Sequence, residues 1–74
     1  MDNQHKMIKG YRDLSEAEIR AMNAVKSEAD RVGFLIEELE SNPDLDQRWV
    51  AIAKTSLQQG FMAAVRAVAQ PTTF

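Results

Sequence analysis

The residues best suited to chemistry stand near the start of the chain, in the run Ile8-Lys9-Gly10-Tyr11-Arg12. The Tyr11 ring can stack on a planar base, and the Lys9 ammonium or the Arg12 guanidinium can neutralise a phosphate. Gly10 has no side chain, so the backbone can approach a ligand closely there. The run therefore fits a planar, anionic ligand. The alternative is an ordered tail in which Tyr11 covers the end of a hydrophobic core.

A further cation, Lys26, directly follows Val25, which belongs to an apolar helical stripe. The methylene stem of Lys26 can lie along an interface while its ammonium points into a groove. An isolated lysine is more often solvated. The residues alone leave both interpretations open.

Five side chains in the second half of the chain recur at intervals of 7, 4, 3 and 4 residues: Arg48, Thr55, Gln59, Met62 and Arg66. On a helix this spacing places them on one face, as a mostly polar strip in an otherwise apolar segment. Buried polar groups need partners, so the strip must face water or converge on something. A pocket between subunits and a hydrogen-bonded helix interface both satisfy this condition, and the sequence does not separate them.

Motifs for other kinds of chemistry are missing. Walker-type loops, G-x-S-x-G and Cys/His pairs do not occur, and a lone histidine, His5, can build neither a metal site nor a Ser-His-Asp triad. Five acids lie close together without the ligand spacing or central glycine of a calcium loop, and are expected to be a solvated helix end: Glu37, Glu38, Glu40, Asp44 and Asp46. We expect no catalytic residue, no metal and no cofactor, and hence no enzyme.

The charges are unevenly distributed. The 74 residues carry 11 acids and 9 bases, a net charge of −2, which divides into +2 for residues 1–12, −7 for 13–46 and +3 for 47–74. Affinity for a nucleic-acid polymer comes largely from many Lys and Arg contacts to phosphate, so the balance argues against such a partner. No apolar run fits a membrane span or a secretory signal, and an intracellular location is the default expectation.

The small size points to self-association. A core built from so short a chain supplies only ~3–5 kcal/mol, and the absence of cysteine excludes disulfides and cysteine-ligated zinc as additional stabilisation. Oligomerisation is therefore the expected source of further burial.

A first helix is predicted to begin near Glu16. Ser15 and Glu18 fit a capping box, and Leu14 and Ile19 are placed to form a hydrophobic staple around it. Downstream, apolar residues at intervals of 3 and 4 form one stripe along a helix of roughly 25 residues: Met22, Val25, Ala29, Val32, Ile36 and Leu39.

The run Ser41-Asn42-Pro43-Asp44 predicts a break, because proline disfavours helix for the residue before it. Asn42 or Asp44 is expected to cap a second helix, which would run from about residue 45 to residue 69 and end at Gln70-Pro71. A break this short between long helices predicts an antiparallel hairpin, with an arm at 1–14, helices at 15–41 and 46–70, a turn at 42–45 and a tail at 71–74. Trp49 is expected to be a core residue under the turn.

The second helix is apolar over most of its circumference. One partner helix covers only one stripe, so the remaining apolar surface must meet other subunits or be membrane-seeking. Its alanines and Gly60 allow close helix approach. The fold class expected is all-α, an antiparallel two-helix hairpin with a short N-terminal arm that assembles into a helical homo-oligomer through this helix.

Both ends of the chain resemble the phage anti-CBASS cyclic-oligonucleotide sponges, helical-hairpin proteins related to the Thoeris anti-defence sponges. The resemblance is carried by residues 1–6, 8–15, 48–55 and 65–71. Between these segments the chain is shorter than other members, so its hairpin tip is reduced. The tip is remote from the matched positions and therefore bears on the outer shape of the assembly more than on the sites.

The resemblance implies a non-enzymatic function in the host bacterial cytoplasm. The phage protein would sequester the cyclic nucleotide messengers of CBASS immunity without cleaving them. It would do so as a compact homohexamer, with separate sites for cyclic dinucleotides, such as cyclic GMP-AMP, and cyclic trinucleotides, such as cyclic tri-AMP.

The resemblance also implies roles for individual residues. Tyr11 would stack on a base of the dinucleotide and Lys26 would meet its phosphate, with Ile8 and Gly10 beside them. In the trinucleotide site, Arg48 matches an arginine that meets phosphates.

A second arginine of the arm, Arg12, is placed to assist Arg48. No metal, no membrane and no nucleic-acid polymer is implied.

Two other functions are compatible with the residues. An oligomeric helical hairpin can offer a groove to a helix of another protein. A small nucleic-acid-binding regulator would need a basic face, which the −7 segment at 13–46 disfavours.

Overall fold

The computed structural model describes residues 13–72 as two α-helices joined by a turn. Helix α1 spans Glu16–Glu40 and helix α2 spans Gln47–Ala69. The connection at 41–46 is short, so the helices pack side by side and antiparallel. The predicted all-α, two-helix hairpin is confirmed, and the expected arm lies outside the described residues for positions 1–12.

Helix α1 begins with the predicted capping box. The Ser15 Oγ accepts a hydrogen bond from the Glu18 amide at 3.2 Å, and the Glu18 carboxylate accepts one from the Ser15 amide at 2.8 Å. Glu16 and Glu18 also place negative charge in the first turn, where the helix dipole favours it. Two amide groups that the helix leaves without partners are thus satisfied.

The predicted apolar stripe of α1 is the face that packs against α2. Ile36 is only 5% exposed, and the other members of the stripe are half-buried: Met22, Val25, Ala29, Val32 and Leu39. On α2 the corresponding face consists of buried Val50 and half-buried residues spaced mainly by 3 and 4: Ala53, Phe61, Ala64, Val65, Val68 and Ala69. Within the described part of the chain only Ile36 and Val50 are buried, so the core of one hairpin is thin.

Side chains close the turn by bonding to backbone groups. The Ser41 hydroxyl donates to the carbonyl of Glu37 at 3.0 Å, and the Gln47 amide donates to the carbonyls of Leu39 and Asn42 at 3.0 and 2.9 Å. These bonds add to the backbone hydrogen bonds that the same three carbonyls accept from the amides of Ser41, Asn42 and Leu45.

The capping residue of α2 is Asp46, so the prediction of Asn42 or Asp44 was wrong. An oxygen of the Asp46 carboxylate accepts from the amides of Arg48 and Trp49 at 3.0 and 3.3 Å. The Asn42 side chain accepts instead from the Asp44 amide at 3.1 Å, within the turn. Several residues of this segment have capping side chains, and the path of the turn decides which of them directly precedes the helix.

The prediction that Trp49 is a core residue was also wrong. Trp49 is 61% exposed, whereas its neighbour Val50 is 7% exposed. Consecutive residues of a helix point about 100° apart. The packing of the two apolar stripes turns Val50 toward α1, and Trp49 therefore lies to the side.

Helix α2 ends in a left-handed residue. Gln70 has φ 44° and ψ 60°, its amide donates to the carbonyl of Arg66 at 2.8 Å, and Pro71 follows. The position is one that glycine normally occupies, because a Cβ is disfavoured there.

We expect Asp46→Ala to lower the free energy of unfolding by about 1 kcal/mol, because two helix amides lose their acceptor. Chemical denaturation of wild type and variant at equal protein concentration measures the difference. Asp44→Ala is the matched control, since it removes the same charge without removing the cap. Equal effects of the two substitutions would contradict Asp46 as the capping residue.

We expect Gln70→Gly to raise the free energy of unfolding by about 0.5–1 kcal/mol, because glycine adopts a left-handed conformation without the Cβ penalty. The same denaturation experiment measures it. Ala69→Gly, one residue earlier and inside α2, serves as the control and should destabilise by about 1 kcal/mol.

Candidate functional site

A groove of about 1020 Å³ runs along one side of the hairpin, between α1 and α2. Its lining includes half-buried apolar side chains from both helices: Val25, Ala29 and Val32 from α1, and Phe61 and Val65 from α2. Exposed charged residues border it: Lys26, Glu37 and Glu40 from α1, and Lys54 and Arg66 from α2. An apolar base with charged edges suits a ligand that has flat apolar parts and ionised groups.

The charges divide the groove into two ends. Near the turn lie Glu37, Glu40 and Lys54, and the Lys54 ammonium is 3.2 Å from the Glu40 carboxylate. Lys26 belongs to the first half of α1 and Arg66 to the last turn of α2. Because the helices are antiparallel, both of these cations lie toward the open end of the hairpin. The open end is therefore the cationic end, and the turn end carries the acids.

A smaller hollow of about 520 Å³ lies on α2 alone. Arg48, Ala51, Ile52, Thr55 and Ser56 line it. The hollow combines one guanidinium and two hydroxyl groups with apolar side chains. These are donors for the oxygens of a phosphate or a sugar.

The polar strip predicted on α2 is divided between the two concavities. Arg48 and Thr55 line the hollow, whereas Met62 and Arg66 line the groove. The strip therefore faces away from α1 at the turn end and borders the groove at the open end.

Lys26 and Arg48 are not brought together within one hairpin. Lys26 lies beside the second half of α2, and Arg48 lies in the first turn of α2. Lys26 borders the groove and Arg48 borders the hollow, so one hairpin has two separate candidate sites, each with a cation.

The other predicted site residues are Ile8, Gly10, Tyr11 and Arg12, and all four lie outside the described residues. The described residues begin at residue 13, and Ser15 caps α1. The chain therefore enters α1 at the open end, the same end to which Lys26 and Arg66 belong.

Sequence reasoning missed the association of Arg66 with Lys26. The heptad-like spacing grouped Arg66 with Arg48, whereas the fold places Arg66 on the groove that Lys26 lines. The available signal was the antiparallel pairing, which brings the last turn of one helix near the first half of the other.

Several large apolar side chains of the hairpin are exposed. Met62 is 70%, Phe34 66%, Trp49 61% and Leu35 50% exposed. Met62 and Trp49 belong to α2, whose unpaired surface was predicted to be apolar. Exposed apolar side chains of this size are candidates for a contact with another protein.

Two negative observations concern residues 13–72 only. No group of three or more His, Cys, Asp or Glu side chains in this range is arranged to hold a metal ion. Neither described helix is long and apolar enough to cross a membrane.

Comparison with known proteins identifies the family. The model of the Acb2/Tad1 hairpin domain matches residues 3–69. The chain belongs to the Acb2/Tad1 hairpin family. The resemblance inferred from the two ends of the sequence is thereby confirmed, and the matched range includes the arm residues 8–12 as well as both helices.

A relative within this family is the protein named anti-CBASS protein 2 of Pseudomonas phage JBD67. It is 36% identical over an alignment of 105 residues, which covers 96% of this chain and 97% of the relative. The alignment is longer than the 74 residues of this chain, so the relative contains residues that have no counterpart here.

Proposed function

We propose that this protein is a phage anti-CBASS protein that binds cyclic dinucleotides and cyclic trinucleotides and holds them without cleaving them. The observation that carries the proposal is the likeness to anti-CBASS protein 2, which extends over 96% of this chain. Both helices lie within the residues that match the family model. The helices that form the groove and the hollow are therefore part of the family's hairpin domain.

The chemistry of the groove supports this proposal. Cyclic oligonucleotides combine flat bases with negatively charged phosphates. The apolar lining offers contact area to a base, and the cations at the open end attract phosphate. The host cell in which a CBASS messenger is produced is the proposed place of action.

We assign the dinucleotide site to the open end of the groove. Lys26 contacts a phosphate there, and Tyr11 stacks on a base, with Ile8 and Gly10 beside it. The position at which the chain enters α1 supports this assignment, because an arm that joins at Ser15 starts at the cationic end.

We assign the trinucleotide site to Arg48, assisted by Arg12. The hollow that Arg48 shares with Thr55 supports this assignment, because a guanidinium and a hydroxyl on one helix face can bind neighbouring oxygens. The hollow lies on one helix and is shallow, so a complete pocket requires residues from other copies.

The assembly we propose is a homohexamer. One hairpin buries only Ile36 and Val50 among the described residues and leaves Trp49 and Met62 mostly exposed. Packing of further copies against α2 would remove this apolar surface from water, at roughly 25 cal/mol per Å².

An alternative function is an oligomeric protein-protein interaction module. The apolar lining of the groove favours it, because such a groove can accept an amphipathic helix. Such a module would bind a partner protein and no cyclic nucleotide.

Binding and release test the proposal directly. We expect cyclic GMP-AMP and cyclic tri-AMP to raise the melting temperature of the wild-type protein, because a ligand that binds only the folded state stabilises it. Heat denaturation should then release each ligand intact, as measured by chromatography. Linear products would contradict sequestration without cleavage, and no shift with either messenger at large ligand excess would contradict the function.

Paired variants separate the two sites. Tyr11→Ala and Lys26→Ala should weaken only binding of the dinucleotide, and Arg48→Ala only binding of the trinucleotide. We expect about ten- to a hundredfold in each case, for a lost stacking contact at Tyr11 and a lost charge-assisted contact at the two cations. Arg20→Ala is the matched control, since it removes an exposed cation from the outer face of α1. A Tyr11→Ala protein that binds normally but melts at lower temperature would show a structural role for that ring.

Native mass spectrometry tests the assembly. We expect wild type to be oligomeric at micromolar concentration, and Trp49→Gln to dissociate at higher protein concentration because an exposed ring of α2 is lost from the interface. Arg31→Gln is the control, because its side chain is 77% exposed and belongs to the charged face of α1. A monomeric wild type would contradict the homo-oligomer, and an unchanged Trp49→Gln assembly would exclude this ring from the interface.

A further inference from the structure

One side of α2 carries no charged residue. The three charged side chains of this helix lie elsewhere, since Lys54 and Arg66 line the groove and Arg48 lines the hollow. Four exposed residues with a spacing of 7, 4 and 7 form the remaining side. We call this side the uncharged face: Trp49, Ser56, Gly60 and Ala67.

The uncharged face lies on the side of the hairpin opposite the groove. Counted at about 100° per residue from buried Val50, its residues point roughly 100° to one side, whereas Met62 of the groove points roughly 120° to the other. On α1, exposed Ala24 and Leu35 point to the same side as the uncharged face, and neither lines the groove. The face therefore continues across both helices, and Ser56 also borders the hollow.

The charges on this side of α1 are balanced within one copy. Glu28 is 3.1 Å from Arg31, so this pair adds no net charge. The other charged residues of 13–46 are nine acids and two bases, a sum of −7. Two copies that approach through the acidic surfaces repel each other, whereas the uncharged face adds no such repulsion. This difference favours a second copy of the chain as the occupant of the face.

Gly60 is not explained by the packing of a single hairpin. A Cβ added at this position meets no atom within 4 Å, so neither helix needs the missing side chain. Glycine is unfavourable in the interior of a helix, and Gly60 lies well inside α2. A second helix that approaches closely would account for the glycine, because a side chain there would hold the two backbones apart.

The residues of the uncharged face are self-complementary when two copies of α2 run antiparallel. About a point midway between Ser56 and Gly60, Trp49 falls opposite the partner's Ala67, so the large ring of each copy meets a small residue. We propose that the uncharged face is a two-fold contact in which α2 packs antiparallel against α2 of a second copy, over roughly 27 Å. This inference rests on the proposed homo-oligomer and assigns the face that forms it. The groove lies on the opposite side and stays open in such a pair.

Two glycine variants test the contact. Gly60→Leu and the control Gly33→Leu both replace a helical glycine whose added Cβ meets nothing in the hairpin, but Gly33 lines the groove. Leucine favours helix, so circular dichroism should show no loss of helix in either variant. By native mass spectrometry without ligand, we expect Gly60→Leu to dissociate at protein concentrations about tenfold or more above those of wild type, and Gly33→Leu to behave like wild type.

Introduced cysteines test the register, because the chain has no cysteine of its own. Residue 56 lies close to the proposed two-fold axis, so mild oxidation of Ser56→Cys should link two copies by a disulfide. Ser27→Cys, exposed on the outer face of α1, is the matched control and should stay unlinked.

Four results would overturn the inference while leaving the homo-oligomer in place. These are an unchanged assembly in Gly60→Leu, equal dissociation of both leucine variants, a Ser56→Cys protein that stays unlinked, and equal linking of both cysteine variants. A monomeric wild type would refute the proposed homo-oligomer together with this contact. Because no ligand is added, the outcome does not depend on whether cyclic nucleotides bind.

Discussion

The contact between the apolar stripes of α1 and α2 is the interaction on which the rest of the structure depends. It buries Ile36 and Val50 near the turn and sets the rotation of both helices. That rotation decides which side chains border the groove and which face away. Apolar residues spaced by 3 and 4 form a stripe on one face of a helix, and only that face is buried between α1 and α2. The charged residues of both helices therefore lie at the edges of the groove or on the outer surface.

One hairpin buries little apolar surface, because its core is a single contact between two helices. Two antiparallel helices have one face each to bury, and every further apolar residue is left at the surface. For α2 this surplus includes Trp49 and Met62, and the proposed self-association would cover it. A chain this short cannot enclose a nucleotide alone, but several copies that cover their surplus surface against each other can form pockets between them. The proposed self-association and the proposed ligand binding would then have the same cause, which is that one hairpin has too little interior.

The two ends of the groove differ in charge. The middle of the chain is acidic, yet the pairing of Glu40 with Lys54 and the position of Glu37 confine negative charge to the turn end of the groove. The opposite end combines Lys26 with Arg66 and receives the cationic arm at Ser15. A protein with a net charge of −2 can in this way offer a local cationic site, because a ligand responds to the charges within about a Debye length of it rather than to the total.

The local interactions were determined by the sequence alone. Ser15 and Glu18 are three residues apart and form their capping box within a single turn, and the spacing of the α1 stripe identified its buried face, because both depend on helix geometry that neighbouring residues already define. The family could also be inferred from the two ends of the chain. The tertiary structure decided the features that depend on the turn between the two helices and on their packing. The path of the turn made Asp46 the cap of α2, and the packing of the two helices buried Val50 and left Trp49 exposed. The antiparallel pairing then brought Arg66 to the groove of Lys26, which no spacing within one helix can indicate, because the two residues meet only through the packing of separate helices.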